Sequence, residues 1–353
     1  LESLGAKIHF YIPNYGFVIS IKGSVQKNAI LSNPSVNWMG IYQPAYKLSH
    51  LFDRVDAEHK VTILLFNDAD MNSAVNQIKG IAKRNDIMIS DNGINKMIWC
   101  VVNKNDLNTP ANIKEIYWIE PYIQPELHNQ QVQWVVQTGY RATAPGATDN
   151  VARRMWGMNI VGQGEIINIV DTGANTGHFQ MRANSDAITT WGVYPTHNKI
   201  VAYDSGAPSG IVFGDGSGAS WHGTHTAGTA AGNDTVLGTS YNDGIAKMAR
   251  IYVSDCSDNA SSGIYVFADL NDLYIRPYNK YHASHGIRAY ISSNSWGANT
   301  AGAYNSMCLN VDQFMWRFKD FLLFFSNGNS GTAGSVGSPA SAKNCVSVGA
   351  TGN

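Results

Sequence analysis

The sequence predicts an open-sheet α/β region preceded by a smaller α+β module, and three observations carry that prediction. Between Lys60 and Tyr122, short β-branched and apolar runs alternate with a clear helical stripe. Past residue 125 the chain turns polar and aperiodic until Asp149, which separates two bodies. Beyond that break, Glu165-Ile166-Ile167-Asn168-Ile169-Val170 is short, β-branched and bounded by glycine, so it reads as a buried strand. The strand delivers Asp171-Thr172-Gly173 at its carboxyl end, where open α/β sheets carry their functional groups.

From the amino end, Ala6 to Ile21 holds two strands broken at Pro13-Asn14, and Ser24 to Leu31 a helix. Val61 to Phe66 is a strand. Ile78, Ile81 and Ala82 then fall on one helical face within Met71 to Arg84. Ile87-Met88-Ile89 and Met97 to Val102 are strands joined through the turn Asp91-Asn92-Gly93. A short helix within Asn105 to Ile113 is interrupted by Pro110, and Ile116-Tyr117-Trp118-Ile119 closes the module as a strand. The succession β-α-β-β-α-β is the ferredoxin-like arrangement. Gln124 to Asp149 reads as a linker, with Ala142 to Thr148 its most exposed stretch, and Asn150 to Arg154 begins a helix-like segment leading to Trp156.

Composition narrows the function. The chain has 353 residues with a formal net charge of −1 and only 14% charged residues, and nothing in that balance suggests a basic nucleic-acid groove or a polybasic membrane surface. No apolar stretch approaches the roughly 18 residues of a membrane span. Leu1 stands first with no basic-plus-apolar leader, so a secretion signal is absent or already removed, and both ends are expected to be cut. Cys100, Cys256, Cys308 and Cys345 lack Cys-x-x-Cys spacing, which argues against a zinc cluster. Buried thiols are the plain reading of these four; a Cys256–Cys308 disulfide is the alternative.

Asp171 and the run His222-Gly223-Thr224-His225-Thr226-Ala227-Gly228 carry the chemistry. Imidazole titrates near neutral pH and can take a hydroxyl proton, and a buried carboxylate fixes its tautomer and stabilises the imidazolium. Fifty-one positions separate the two, so only the fold can join them. Each residue alone has a plain structural reading, Asp171 as a turn former and His222 as a packed or surface residue. His222-x-x-His225 with Asp171 lacks a His-Glu-x-x-His pattern and a third metal ligand. Gly162-Gln163-Gly164 precedes its strand and so is no dinucleotide fingerprint. Gly214-Asp215-Gly216-Ser217-Gly218 has too few oxygen ligands for a calcium loop and reads as a flexible loop near His222.

The chain order Asp171 then His222 resembles the subtilisin-like serine proteases (subtilases, peptidase S8), whose order is Asp, His, Ser. Further segments extend the resemblance in the same order. Ile291 to Gly297 looks like the family's substrate strand, with Ser295, Trp296 and Gly297 beside a bound peptide. Phe324 to Gly331 is similar to the strand whose Ser326, Asn327 and Gly328 border the substrate and whose asparagine, here Asn329, forms the oxyanion hole. Asn344 to Thr351 looks like the strand that follows, and the stretch from Asn150 resembles the start of the mature enzyme in the KP-43-like branch.

The resemblance implies a doubly wound, mostly parallel sheet with helices on both faces. It implies residues 1–125 as a propeptide that acts as chaperone and inhibitor, 126–149 as a linker with the processing site at Ala142 to Asn150, and 150–353 as the amino-terminal part of a catalytic domain. It also implies polypeptide substrates, no cofactor for catalysis, structural calcium with ligands not assignable from the sequence, and a secreted or otherwise extracytoplasmic location. No serine here stands in a Gly-Thr-Ser-Met-Ala-like context, so the nucleophile is expected beyond Asn353 and the chain as given is expected to be inactive. The competing reading is a catalytically inactive protease-like binding or inhibitory module. Two residues depart from the family pattern: Trp221 replaces the glycine or serine before the histidine, and Asn327 replaces a small residue beside the specificity pocket.

Overall fold

The computed structural model describes residues 1–83, 87–123, 126–127, 153–183, 185–216, 221–234, 243–257 and 263–350. The expected processing segment Ala142 to Asn150 and the first residues of the helix-like stretch after it lie outside them. The chain divides into two compact units, Leu1–Tyr122 and Ile123–Asn353.

In the first unit, β1 (Lys7–Ile12) and β2 (Gly16–Ser20) form an antiparallel hairpin, followed by the helix Ser24–Leu31. A four-stranded antiparallel sheet comes next, from β3 (Glu58–Leu65), β4 (Met88–Asp91), β5 (Lys96–Asn103) and β6 (Ile116–Pro121), in the order β4-β5-β3-β6. The helix Met71–Lys79 follows β3 and the short helix Asn108–Ala111 follows β5, so the succession is the one expected. Asp70 caps the first of these helices by accepting the N–H groups of Asn72 and Ser73, and Ala74 and Ile78 turn its apolar stripe inward. They meet Val61, Ile63, Leu65, Ile98, Cys100 and Ile119 in one core. This unit has a core of its own.

The second unit begins with a two-residue strand, β7 (Glu126–Leu127), in what the sequence marks as linker. Its seven-stranded sheet contains β8 (Ile166–Asp171), β9 (Gly192–Val193), β10 (Ile200–Ser205), β11 (Arg250–Asp255), β12 (Ile291–Asn294), β14 (Leu322–Ser326) and β15 (Val346–Val348). The order is β15-β14-β12-β8-β11-β10-β9, parallel throughout except for the edge strand β9. Adjacent residues of β8 enter different cores, as the period-2 alternation of a strand requires. Ile169 packs with Ala227 and Ala231 of the helix His222–Ala231, whereas Val170 packs with Leu273 and Tyr274 of the helix Leu270–Ile275 and with Val311 and Phe314 of the helix Ser306–Arg317. Helices therefore cover both faces of a mostly parallel sheet.

One polar residue interrupts the centre of this sheet. Asn168 is fully buried, donates to the Ser292 hydroxyl at 2.9 Å and accepts from the Ser254 hydroxyl at 2.8 Å. It ties β12, β8 and β11 together through side chains, with partners for both its own amide oxygen and its nitrogen. The cysteines are thiols, so the Cys256–Cys308 bridge is not formed. Among the described residues no helix is long and apolar enough to cross a membrane.

Candidate active site

Asp171 is the last residue of β8, beside the first turn of the helix that starts at His222. Two glycines permit that approach. A Cβ on Gly223 would lie 2.1 Å from the Gly173 carbonyl oxygen, and one on Gly173, at φ +89°, would lie 2.6 Å from Asp255 Oδ2. Neither position admits a side chain without moving backbone or a buried carboxyl group.

The result is a hydrogen bond of 2.7 Å between His222 Nδ1 and Asp171 Oδ1. Asp171 is 1% exposed. Its Oδ1 also accepts the Thr172 N–H at 2.8 Å, and its Oδ2 accepts from the Thr226 hydroxyl at 3.1 Å. A carboxylate that only accepts makes the ring Nδ1 the donor, which leaves the Nε2 lone pair as the basic position. Carboxylate, ring tautomer and ring orientation are thus fixed together.

Two more carboxyl groups sit close by. Asp215 accepts from the Thr172 hydroxyl at 2.9 Å and from the Thr224 N–H at 2.7 Å and hydroxyl at 2.6 Å. Burial is the main cause raising its pKa above the ordinary carboxyl value, partly offset by those donors. Asp255 lies opposite Asp171 in the β11–β8 register. It accepts from the Tyr203 hydroxyl at 3.0 Å, the Gly214 N–H at 3.2 Å and the Ser257 N–H at 3.1 Å. Burial pushes its carboxyl up to about 8.

The sequence-predicted substrate residues gather at the same edge of the sheet. Strands β8, β12 and β14 are neighbours, with Asn294 level with both Val170 and Phe325, so Asp171, Ser295 and Ser326 end side by side. Trp296 and Gly297 form a short strand, β13, that pairs antiparallel with β7: Trp296 opposite Leu127 and Gly297 opposite Glu126. Asn327 is pinned by its N–H to the Val348 carbonyl at 2.9 Å and accepts from the Ser347 hydroxyl. Gly328 follows at φ +110°, and Asn329 stands exposed beyond it.

Trp221 holds a left-handed conformation (φ 57°, ψ 30°) immediately before His222, where a residue without a Cβ fits at lower cost. Its side chain is 46% exposed. His225 is exposed on the same helix, and its N–H closes the first turn on the Trp221 carbonyl. Among the described residues, no cluster of three or more His, Cys, Asp or Glu side chains is placed to hold a metal ion.

Sequence reasoning placed the loop that carries Asp215 near His222 but gave Asp215 no role, and it missed Asp255, Tyr203 and the three threonines. Thr224 and Thr226 lie inside the histidine run and could have been found there, since a buried carboxylate needs donors. Asp255 carries no local signal, and nothing local gives Asp215 its role, because their partners come from other segments.

The model of the subtilase family (Peptidase_S8) matches residues 162–353, more than half of the chain. The chain belongs to the subtilase family. Among similar proteins, the serine protease/ABC transporter B family protein tagA of Dictyostelium discoideum is 25% identical over 390 positions, covering 98% of this chain and 21% of that one. The minor extracellular protease Vpr of Bacillus subtilis is 26% identical over 293 positions, 76% of this chain and 32% of Vpr. This subtilase chain therefore spans between a fifth and a third of those relatives' lengths. Its fold resembles that of fervidolysin from Fervidobacterium pennivorans, a keratinolytic enzyme related to subtilisin. The TM-score there is 0.50 at 19% identity, over 83% of this chain and 43% of that one.

Proposed function

We propose that this subtilase chain is the propeptide and the Asp–His-bearing part of a serine endopeptidase. The 2.7 Å bond between Asp171 and His222 carries the reading, because it sets the ring up as a base with Nε2 as its working nitrogen. The hydroxyl nucleophile belongs to a segment following Asn353. His222 takes its proton as it attacks a peptide carbonyl and returns that proton to the leaving amine, while Asp171 steadies the imidazolium. Asn329 serves as the side-chain donor to the tetrahedral oxyanion; in subtilisin, loss of such a donor costs about 10²–10³ in turnover.

Substrate binds as an added strand on β13, through main-chain bonds that tolerate many side chains. The antiparallel pairing of Glu126–Leu127 on Trp296–Gly297 supports this, since a segment of the chain itself lies on that strand as an extended peptide would. On this reading residues 1–125 are a propeptide whose carboxyl-terminal extension occupies the site until it is cut, and the protein works outside the cytoplasm.

A fluorophosphonate, which labels only an activated serine, tests the assignment. The complete gene product freed of its propeptide is expected to be labelled and His222→Ala to abolish labelling, while Asp171→Asn is expected to lower kcat by about 10⁴-fold. Residues 1–353 alone are expected to give neither labelling nor hydrolysis. No labelling of the processed gene product would favour the protease-like binding module instead.

A further inference from the structure

The Gly214–Gly216 loop contains a carboxyl group that the reaction as described leaves without a role. Asp215 is only 6% exposed, although the sequence around it suggests a surface loop. Its two oxygens face different elements. Oδ1 accepts from the hydroxyl of Thr172, the residue after Asp171; Oδ2 accepts both the N–H and the hydroxyl of Thr224, two residues after His222. The Thr172 hydroxyl also accepts the Gly223 N–H at 2.8 Å, so the same bridge reaches the residue after His222. Behind it, the Gly214 N–H is anchored on Asp255, which Tyr203 and Ser257 hold in turn.

A helix cap would need only the Thr224 arm. The second arm, to Thr172, fixes the turn leaving β8. A neutral amide cannot accept from both. An asparagine has one acceptor oxygen, so it loses either the Thr224 donors or the Thr172 hydroxyl. In the latter case the freed hydroxyl has Asp171 Oδ1 in reach at 3.4 Å, where it competes with His222. Burial raises the pKa of this carboxyl group, and the two arms of donors partly offset that cost.

We propose that Asp215 is a positioning residue for the base: it clamps the turn after Asp171 to the first turn of the His222 helix and so keeps the ring Nδ1 on the Asp171 carboxylate. This rests on the endopeptidase reading. Asp215 acts through Thr172, Gly223 and Thr224. Releasing the clamp lets the ring pivot, and misplacement by about 1 Å in such a site costs about 10²-fold in rate.

The first readout is the far-downfield proton resonance of the His222 Nδ1–H in residues 1–353, assigned by its absence in His222→Ala. Asp215→Asn and Thr172→Val are expected to broaden or abolish it, and Thr172→Ser, which restores the hydroxyl, to retain it. In the processed gene product, Asp215→Asn and Thr172→Val are expected to lower kcat by about 10–100-fold with KM nearly unchanged, and Thr172→Ser to stay near wild type. If Asp215→Asn does not fold, the Thr172 pair carries the test alone. A wild-type resonance and kcat in Asp215→Asn, with His222→Ala inactive, would overturn the positioning role and leave the endopeptidase standing. Full hydrolysis by His222→Ala would overturn both.

Discussion

At Gly223 a single absent carbon decides whether the His222 ring and the Asp171 carboxylate can meet. Its missing Cβ would sit 2.1 Å from the Gly173 carbonyl, so Gly223→Ala must push the helix off the end of β8. The expected cost is about 1–3 kcal/mol of stability, typical of overpacking, together with loss of the His222 Nδ1–H resonance. Thermal melts and the same proton spectrum check this. Asp255 gives a prediction of a different kind. Its carboxyl titrates near 3.8 in the unfolded chain and at about 8 in the fold, so between those values the folded state holds one more proton. Stability must then fall as pH rises through that window, and an amide, which carries no charge, is spared the effect. The groups around Asp255 are Tyr203, neutral and itself held above its ordinary pKa by burial, and the carboxyl groups of Asp171 and Asp215. Melting temperature against pH is therefore expected to drop for wild type relative to Asp255→Asn from about pH 4 to pH 8 and to level off above. A constant gap across that range would show that Asp255 carries no extra proton in the fold.

Among the elements, β8 was legible and β7 was not. A six-residue β-branched run between glycines has few alternatives to a buried strand, and it lies within one residue of its expected position. Asn168 inside that run gave no hint that Ser254 and Ser292 would satisfy it, since both partners lie on other strands. Glu126–Leu127 sits in polar, aperiodic sequence, and only the edge offered by Trp296–Gly297 makes it a strand. That pairing also sets a direction. The chain runs from Glu126, opposite Gly297, to Leu127, opposite Trp296, and so heads toward Ser295 and the Asp171 edge of the sheet. If residues 1–125 are a propeptide, as proposed, the bond cut to release it is expected after Leu127, with the new amino terminus between residues 128 and 151. Mass spectrometry of the matured gene product reads that terminus directly. One at or before Glu126 would mean that the paired segment is retained and is no leaving propeptide.

For the whole molecule, the division at Tyr122 yields a prediction about folding. Residues 1–122 contain a four-stranded sheet, a capped amphipathic helix and a core that includes Val61, Ile63, Ile98 and Ile119, all fully buried. Expressed alone, this unit is expected to unfold in a single cooperative transition with matching near- and far-UV signals. Loss of near-UV signal with retained helix would show that its packing depends on the rest of the chain. By itself, the sequence made legible a change of character near residue 125, the succession of strands and helices, and Asp171 and His222 as candidate residues, because burial period, turn residues and a dense local motif are properties of neighbouring residues. Only the tertiary structure decided that Asp215 and Asp255 lie beside Asp171 and His222, that Asn168 is satisfied, and that Glu126–Leu127 pairs with Trp296–Gly297. Each of those depends on donors and acceptors contributed by segments far apart in the chain. A buried carboxyl group and a solvated one are the same letter until the fold brings its partners.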